Sequence, residues 1–561
     1  MAYDLQPVKA PRLTGIFLKI FVNLTESKWT RWLVLPELYK MAGIPKLRKM
    51  IVEESTTNHP LNLPSLQQKE VNPITISELD KFINKSPLDR SPTIADYAHS
   101  YRNGESNPVA VAEQVIKSII DSDSQSPPLK AFTFFDKEEV ITQAKASFER
   151  IKANKPLSIL DGVPIAVKDE LDMVPFPTTV GTKFLGSEPV GTDATVVSKL
   201  RAAGALLIGK TNMHEIGIGV TGLNPHHGVV RNPYNVNHHS GGSSSGSAAA
   251  VSAGICPGAI GADGGGSIRI PASLCGVVGL KATFGRVSEH GATPLCWSVA
   301  HIGPLTNSVD DTAILYSIIS GQDKQDSWSM HQPPVHLNEI NNNKLSGIKF
   351  GVYPEWFQDA SPEVVNRCEN AIKLLEDAGA EMVEIDIPNL NAFRIAHVIT
   401  ISSEMATAMD SYTDEHQTDF GLDVRINLAM ARSFTSRDYI KAQRIRTLAI
   451  AEFQRIFDEV DVIITPATAS TAPPISSDAL PDGESNLEVL TELMRFATMA
   501  NLTGLPALSI PVGYDDKGLP IGMQFIGKAW EEAMLFRLAK VVESGVKNRK
   551  PSRWYQILNT K

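Results

Sequence analysis

The chain has 561 residues with 53 Lys/Arg against 62 Asp/Glu, and its net charge of -9 excludes a protein that grips nucleic-acid phosphate along its length. Hydrophobic residues at 42% and charged residues at 20% are ordinary for a globular chain with a large core. The 4 cysteines, none in a Cys-x-x-Cys pair, exclude a disulfide framework, a zinc ribbon and a dithiol redox motif, and they fit a reducing compartment.

The charge is unevenly spread: the first 50 residues sum to +6 and the remainder to -15. Residues 13–24 place Leu13, Ile16, Phe17, Ile20, Phe21 and Leu24 on one face of a helix. Trp29 and Trp32 follow among Lys28, Arg31 and Lys40. An apolar helix face, tryptophans and cations together suit an interfacial helix, with the apolar face in the acyl boundary and the cations at anionic headgroups. Docking of the same helix on the protein's own body is the equally open alternative. The first 12 residues lack the charged-then-apolar order of a secretory signal, and no run long enough to span a bilayer occurs. The expectation is an intracellular protein, peripheral on internal membranes such as the endoplasmic reticulum or the inner face of the plasma membrane. The Asn-Leu-Thr triplets at Asn23 and Asn501 read as chance matches to a glycosylation pattern.

Residues 50–90 are polar and proline-dotted and read as a wrapped connector. From about residue 93 to 320, helical stretches alternate with short apolar strands, among them 163–167 and 205–208. Such alternation predicts an α/β fold, a large mixed central sheet covered by helices on both faces. Residues 321–345 are polar and irregular; a helix then begins at Ser361 and Pro362 and stops at Gly379. Strand-like segments at 461–464 and 507–512 bring the later chain back to the same sheet. The expected organisation is a helical extension and connector over 1–92, one large domain over 93–545 and a tail over 546–561.

Several motifs invite chemistry and fail on context. Gly204-Ala-Leu-Leu-Ile-Gly209-Lys210-Thr211 matches the nucleotide-binding loop, but a helix precedes it and a strand occupies it, the reverse of what phosphate binding needs. His214-Glu215 lacks the second histidine of a zinc-protease helix. His226-His227 and His238-His239 fall in polar stretches and read as solvated. Nothing calls for a cofactor or a metal.

Three segments remain. Asp161-Gly-Val-Pro-Ile-Ala-Val-Lys168 is an apolar strand that ends in a lysine. Gly241-Gly242-Ser243-Ser244-Ser245-Gly246-Ser247 is a turn opening a small-residue helix, and Asp263-Gly264-Gly265-Gly266-Ser267-Ile268-Arg269 runs glycines into a serine. A serine hydroxyl needs a base to become a nucleophile, and a lysine serves as that base only when neutral, which burial promotes. Glycine N–H groups approach an oxyanion without steric obstruction. Singly, each segment is more often structural than catalytic.

In this order, with 75 residues from Lys168 to Ser243 and 24 from Ser243 to Ser267, the segments resemble the amidase signature family. The resemblance continues through Cys275-Gly-Val-Val-Gly-Leu-Lys281, Gly303-Pro304-Leu305, Leu505-Pro506-Ala507 and Gly518-Leu-Pro-Ile-Gly522, covering roughly residues 95–545. It implies that Ser267 is the acylated nucleophile, Ser243 a bridging serine on a cis peptide bond and Lys168 the base. It also implies an oxyanion site at Gly264, Gly265, Gly266 and Ser267, with Asp263 and Arg269 bracing the loop. Within the family the chain is similar to plant-type fatty acid amide hydrolases, on Lys9-Ala-Pro-Arg-Leu-Thr-Gly15, Asn212-Met-His-Glu215 and the segment ending at Ser267. That similarity implies hydrolysis of N-acylethanolamines, a homodimer and peripheral membrane contact. Ile218 falls where that subfamily often carries methionine beside the substrate channel, a departure that bears on acyl-chain length. The alternatives are an amidase for small polar or aryl amides, a glutamine-hydrolysing component of an amidotransferase, and a non-catalytic receptor or scaffold relative.

Overall fold

Apolar runs of four to eight residues with flanking glycine and proline form strands when both faces are covered, and this chain holds many such runs. In a computed structural model, which describes residues 3–8, 10–60, 78–79 and 91–558, eleven strands join one mixed sheet. Their order across the sheet is Phe132–Phe134, Leu206–Thr211, Pro164–Lys168, Gly258–Ala262, Ile302–Thr306, Val278–Lys281, Ala507–Tyr514, Pro520–Gly527, Val462–Pro466, Lys349–Val352 and Glu381–Glu384. The pairings of Pro164–Lys168 with both its neighbours are parallel, as are those that join the last three strands, and the centre is antiparallel. Most of the connector, residues 61–77 and 80–90, and Lys9 lie outside the described residues.

Side chains alternate across a strand, so a sheet covered on both sides sends odd and even positions into different cores. Val462, Ile464, Leu508, Ile510, Met523 and Phe525 enter one apolar cluster with the helices Pro108–Ser124, Val309–Ile319, Pro362–Asp377 and Glu532–Gly545. Their neighbours Ile463, Ala507 and Ile526 enter another with the helices Leu390–His416 and Ser436–Phe457. The chain therefore has the expected α/β fold. The segments at 461–464 and 507–512 do return to the same sheet as 163–167. The helix expected after Ser361 spans Pro362–Asp377, and Gly379 follows it at a φ of 101°.

The leader folds as three helices: α1 (Gly15–Glu26), α2 (Arg31–Ala42) and α3 (Ile44–Lys49). Helix α1 docks on the body with a narrow stripe, Leu18 and Val22, against Ile426. Of the wider apolar face read from the sequence, Leu13 and Phe21 pack partly against this contact and the rest stays outside, with Ile16 64% and Phe17 71% exposed. Ile20, Trp29, Trp32 and Leu33 are exposed as well. Part of the leader's positive charge is spent on the body, since Arg12 pairs with Asp478 and Glu484, Lys19 with Asp482 and Arg48 with Asp438. Among the described residues, no helix is long and apolar enough to cross a membrane.

Candidate active site

Adjacent parallel strands end on the same edge of a sheet, which is where α/β proteins gather ligands. Pro164–Lys168 and Gly258–Ala262 are such a pair, with Val167 opposite Ile260. Their ends deliver Lys168 and the Asp263–Ser267 segment side by side. Lys168 is fully buried, as its apolar approach suggested. The glycine–serine turn lies between them: the Gly242–Ser243 peptide is cis, and the buried helix Ser245–Ser252 begins immediately afterwards. At Gly246 a Cβ would come within 2.2 Å of the Ala131 carbonyl oxygen, so the position requires glycine. The Ser244 N–H donates to the Ser267 carbonyl at 3.2 Å and the Ser244 hydroxyl to the Ala262 carbonyl at 3.1 Å. All three sequence segments thus converge.

The Lys168 ammonium nitrogen lies 2.9 Å from Ser243 Oγ, 3.2 Å from the Ala262 carbonyl oxygen and 2.7 Å from Glu170 Oε2. Ser267 lines a cavity that also touches Gly265, Gly217 and Ile218. This arrangement suits a proton relay from a cavity-facing serine to an enclosed amine.

The loop carrying Ser267 is held by a buried ionic network. Arg269 donates through Nε and Nη2 to both carboxylate oxygens of Asp263, at 3.0 Å each, and through Nη1 to Gln524 Oε1 and the Ala497 carbonyl. Asn501 donates to Asp263 and accepts from Arg269. Burial pushes the Asp263 carboxyl up, but the Arg269 guanidinium and the Asn501 amide outweigh it and hold the group well below the usual carboxylate range. Asp263 and Arg269 therefore brace the loop as expected, and Asn501 is a buried strut, not a surface triplet.

One member of the expected oxyanion site does not fit. The Gly266 N–H donates to Asp263 Oδ1 at 2.6 Å and is already spent on holding the loop. Among the described residues no acceptor binds the Gly264, Gly265 or Ser267 N–H, which leaves these three groups unspent. Gly266 serves the loop in another way: its φ of 119° and a Cβ position 2.6 Å from Ile270 exclude larger residues. His397 supports the neighbouring turn through Nε2, which donates to the Gly264 carbonyl at 2.8 Å. Burial lowers its ring to about 4, so it is neutral at physiological pH.

The cavity encloses about 1400 Å³ including its open mouth. Ile218, Val220, Val398, Ile401, Met405, Ile426, Met430, Leu490 and Met494 make much of the lining apolar, while Asp423, Asn427, Glu484 and Asn486 add polar groups. Val8, Leu38 and Ala42 also line it, so the leader, including α2, forms part of its wall.

The rejected motifs resolve differently. Leu206–Thr211 is a strand following the helix Thr195–Ala202, and Lys210 is buried, donating to the Leu171 carbonyl and pairing with Asp169, which leaves no phosphate loop. The histidine pairs correct the sequence reading. Three of the four have partners or are enclosed: His226 binds Glu215, His227 binds the Thr182 carbonyl, and His239 is buried with its ring pushed down to about 3 by desolvation, while His238 stays partly exposed. Polar neighbours in sequence did not leave them free in water because remote chain meets these loops: Asn237, His238 and His239 pair with the 473–475 stretch. His214 pairs with Asp423 at the cavity wall.

Sequence reasoning missed Glu170, His397, Asn501 and Gln524. Glu170 had a signal, since positions two apart leave a strand on one side and Lys168 was already singled out. The other three come from remote segments and carried none.

The amidase family model matches residues 114–536. The chain is 40% identical to a protein named fatty acid amide hydrolase from Arabidopsis thaliana, over 100% of this chain and 97% of that protein. It is 35% identical to the A component of a glutamyl-tRNA(Gln) amidotransferase from Picosynechococcus sp., over 80% of this chain and 96% of that one. The solved peptide amidase of Stenotrophomonas maltophilia superposes with a TM-score of 0.70 at 28% identity, covering 82% of this chain and 98% of its own. A family model spanning most of the sequence, relatives matched along their whole length and a lysine–serine pair at the sheet's carboxyl edge agree, and the chain belongs to the amidase family.

Proposed function

We propose that this amidase hydrolyses N-acylethanolamines to free fatty acid and ethanolamine through an acyl-enzyme on Ser267. The observation that carries the chemistry is the enclosed Lys168 amine at 2.9 Å from Ser243 Oγ, beside a cavity that Ser267 lines. Ser267 Oγ attacks the amide carbonyl while its proton passes to Ser243 and the Ser243 proton to Lys168. The oxyanion that forms accepts hydrogen bonds from the Gly264, Gly265 and Ser267 N–H groups. The proton returns by the same path to the leaving amine as the C–N bond breaks, and water then releases the acid. The lipid substrate is supported by the largely apolar lining of the cavity and by the relative named fatty acid amide hydrolase at 40% identity.

The same reading includes peripheral membrane contact through α1 and α2, supported by their exposed apolar residues and by α2's place in the cavity wall. It includes a homodimer, supported by resemblance to the plant enzymes, and the division into extension 1–92, catalytic unit 93–545 and tail 546–561. The amidotransferase relative supports the alternative of glutamine hydrolysis with a partner.

Release of ethanolamine from a panel of N-acylethanolamines, with Ser267→Ala as control, tests the reading. Turnover of long-chain substrates by the isolated chain, lost in the variant, is the expected result. Cleavage of benzamide but no lipid amide would sink the lipid assignment, and activity only with a partner protein would favour the amidotransferase.

A further inference from the structure

The triad leaves one buried group at contact distance unused. Glu170 emerges two residues beyond Lys168, its side chain 8% exposed, and its Oε2 sits 2.7 Å from the lysine nitrogen. Among the described residues, three groups surround that nitrogen: the Ala262 carbonyl, the Glu170 carboxylate and the Ser243 hydroxyl. Two of them only accept hydrogen bonds, and only the Ser243 hydroxyl also donates. A neutral lysine has two N–H bonds and one lone pair. The carbonyl and the carboxylate must take the N–H bonds, which turns the lone pair toward Ser243. Once the proton arrives, the same three groups accept from the ammonium.

We propose that Glu170 is a positioning residue for the base: it aims the Lys168 lone pair at Ser243 and neutralises the ammonium formed when Lys168 takes the Ser243 proton. This rests on the amidase reading above.

The remaining groups around the pair do not duplicate that charge. On the same segment, Asp169 is committed to Lys210 at 3.2 Å. At the end of the neighbouring strand, Asp263 is held by Arg269. Cys296, under the glycine turn, stays a thiol, pushed up by burial and then by Glu404, Glu170 and Glu289. Desolvation and the nearby carboxylates of Asp326, Glu170 and Glu404 likewise push Glu289 well up. Glu404, on the helix Leu390–His416, is pushed up by burial and accepts from Ser298 and Tyr439. The carboxylate in contact with Lys168 is that of Glu170.

The test is the pH dependence of Ser267 labelling by a fluorophosphonate, read by intact mass, in the wild-type chain and in Glu170→Gln. Glutamine keeps an acceptor for the lysine N–H but removes the charge. Without the charge the ammonium is less favoured, so the acid limb should move to lower pH by about one unit or more. The plateau rate should fall by about tenfold or more, as expected for a weaker base. Glu170→Asp keeps a carboxylate and should keep the limb near its wild-type position, which preserves the test should glutamine impair folding. An acid limb in Glu170→Gln that coincides with wild type, whatever the rate, overturns the proposal. A wild-type chain that is never labelled at Ser267 sinks the amidase reading itself, and the proposal with it.

Discussion

Removing one partner of a buried ion pair is far costlier than the pair's net contribution, because the other charge remains in the interior without compensation. Asp263 and Arg269 are both fully buried, and their side chains fix the turn that presents Ser267. Arg269→Ala should therefore lower stability by about 3–5 kcal/mol in urea unfolding and reduce Ser267 labelling. Pairing Arg269→Met with Asp263→Asn should recover part of that loss, since no bare charge is left. Because the Asp263 carboxyl is held below its ordinary value, its contribution is complete at neutral pH and is lost only as pH falls to and through that depressed value. An Arg269→Ala chain within about 1 kcal/mol of wild type would contradict this account, since surface substitutions alone fall in that range.

At the scale of elements, the leader has two jobs. Ile44 and Leu47 of α3 enter the core, and Leu38 and Ala42 of α2 line the cavity. Deleting the leader would thus damage the body, and point substitutions are the sharper probe of membrane contact. Phe17 of α1, with Trp29 and Trp32, projects from the surface, Trp29 being 87% exposed. Burying such a side chain in an acyl layer is worth about 1.5–3 kcal/mol, or roughly tenfold to a hundredfold in partitioning per residue. Changing Phe17, Trp29 and Trp32 to serine should abolish flotation with anionic liposomes while leaving cleavage of a soluble amide within about twofold, these being surface sites. Unchanged flotation would count against an interfacial role. The sequence showed the apolar stripe here, but not which part would dock: Leu18 and Val22, which meet Ile426, were outside the stripe it emphasised.

At the scale of the molecule, the proposed homodimer predicts a solution mass of twice 61.0 kDa by light scattering. A single 61.0 kDa species at all concentrations would count against it.

Much of the fold and site was legible from sequence. The strand before Lys168, the turn at Ser243 and the glycine run before Ser267 are local signals: apolar length, small residues and glycine each reflect what one short segment requires of its backbone. The helix after Ser361 was bounded by residues at its own ends. Such features depend on steric and capping preferences within a few residues, so the sequence alone determined them. What it left open are contacts between distant segments: Gly266 N–H turned to Asp263, Asn501 and Gln524 gathered on Arg269, His397 beneath Gly264 and the histidine loops folded inward. Their partners lie up to 255 positions apart, as between Arg269 and Gln524. A polar residue reads the same in sequence whether it meets water or a buried partner, because burial is fixed by how the sheet brings remote chain together. The residues proposed for the chemistry were therefore readable locally, while the bracing of their loop, the unspent N–H groups beside Ser267 and the exposed face of the leader were decided by tertiary structure.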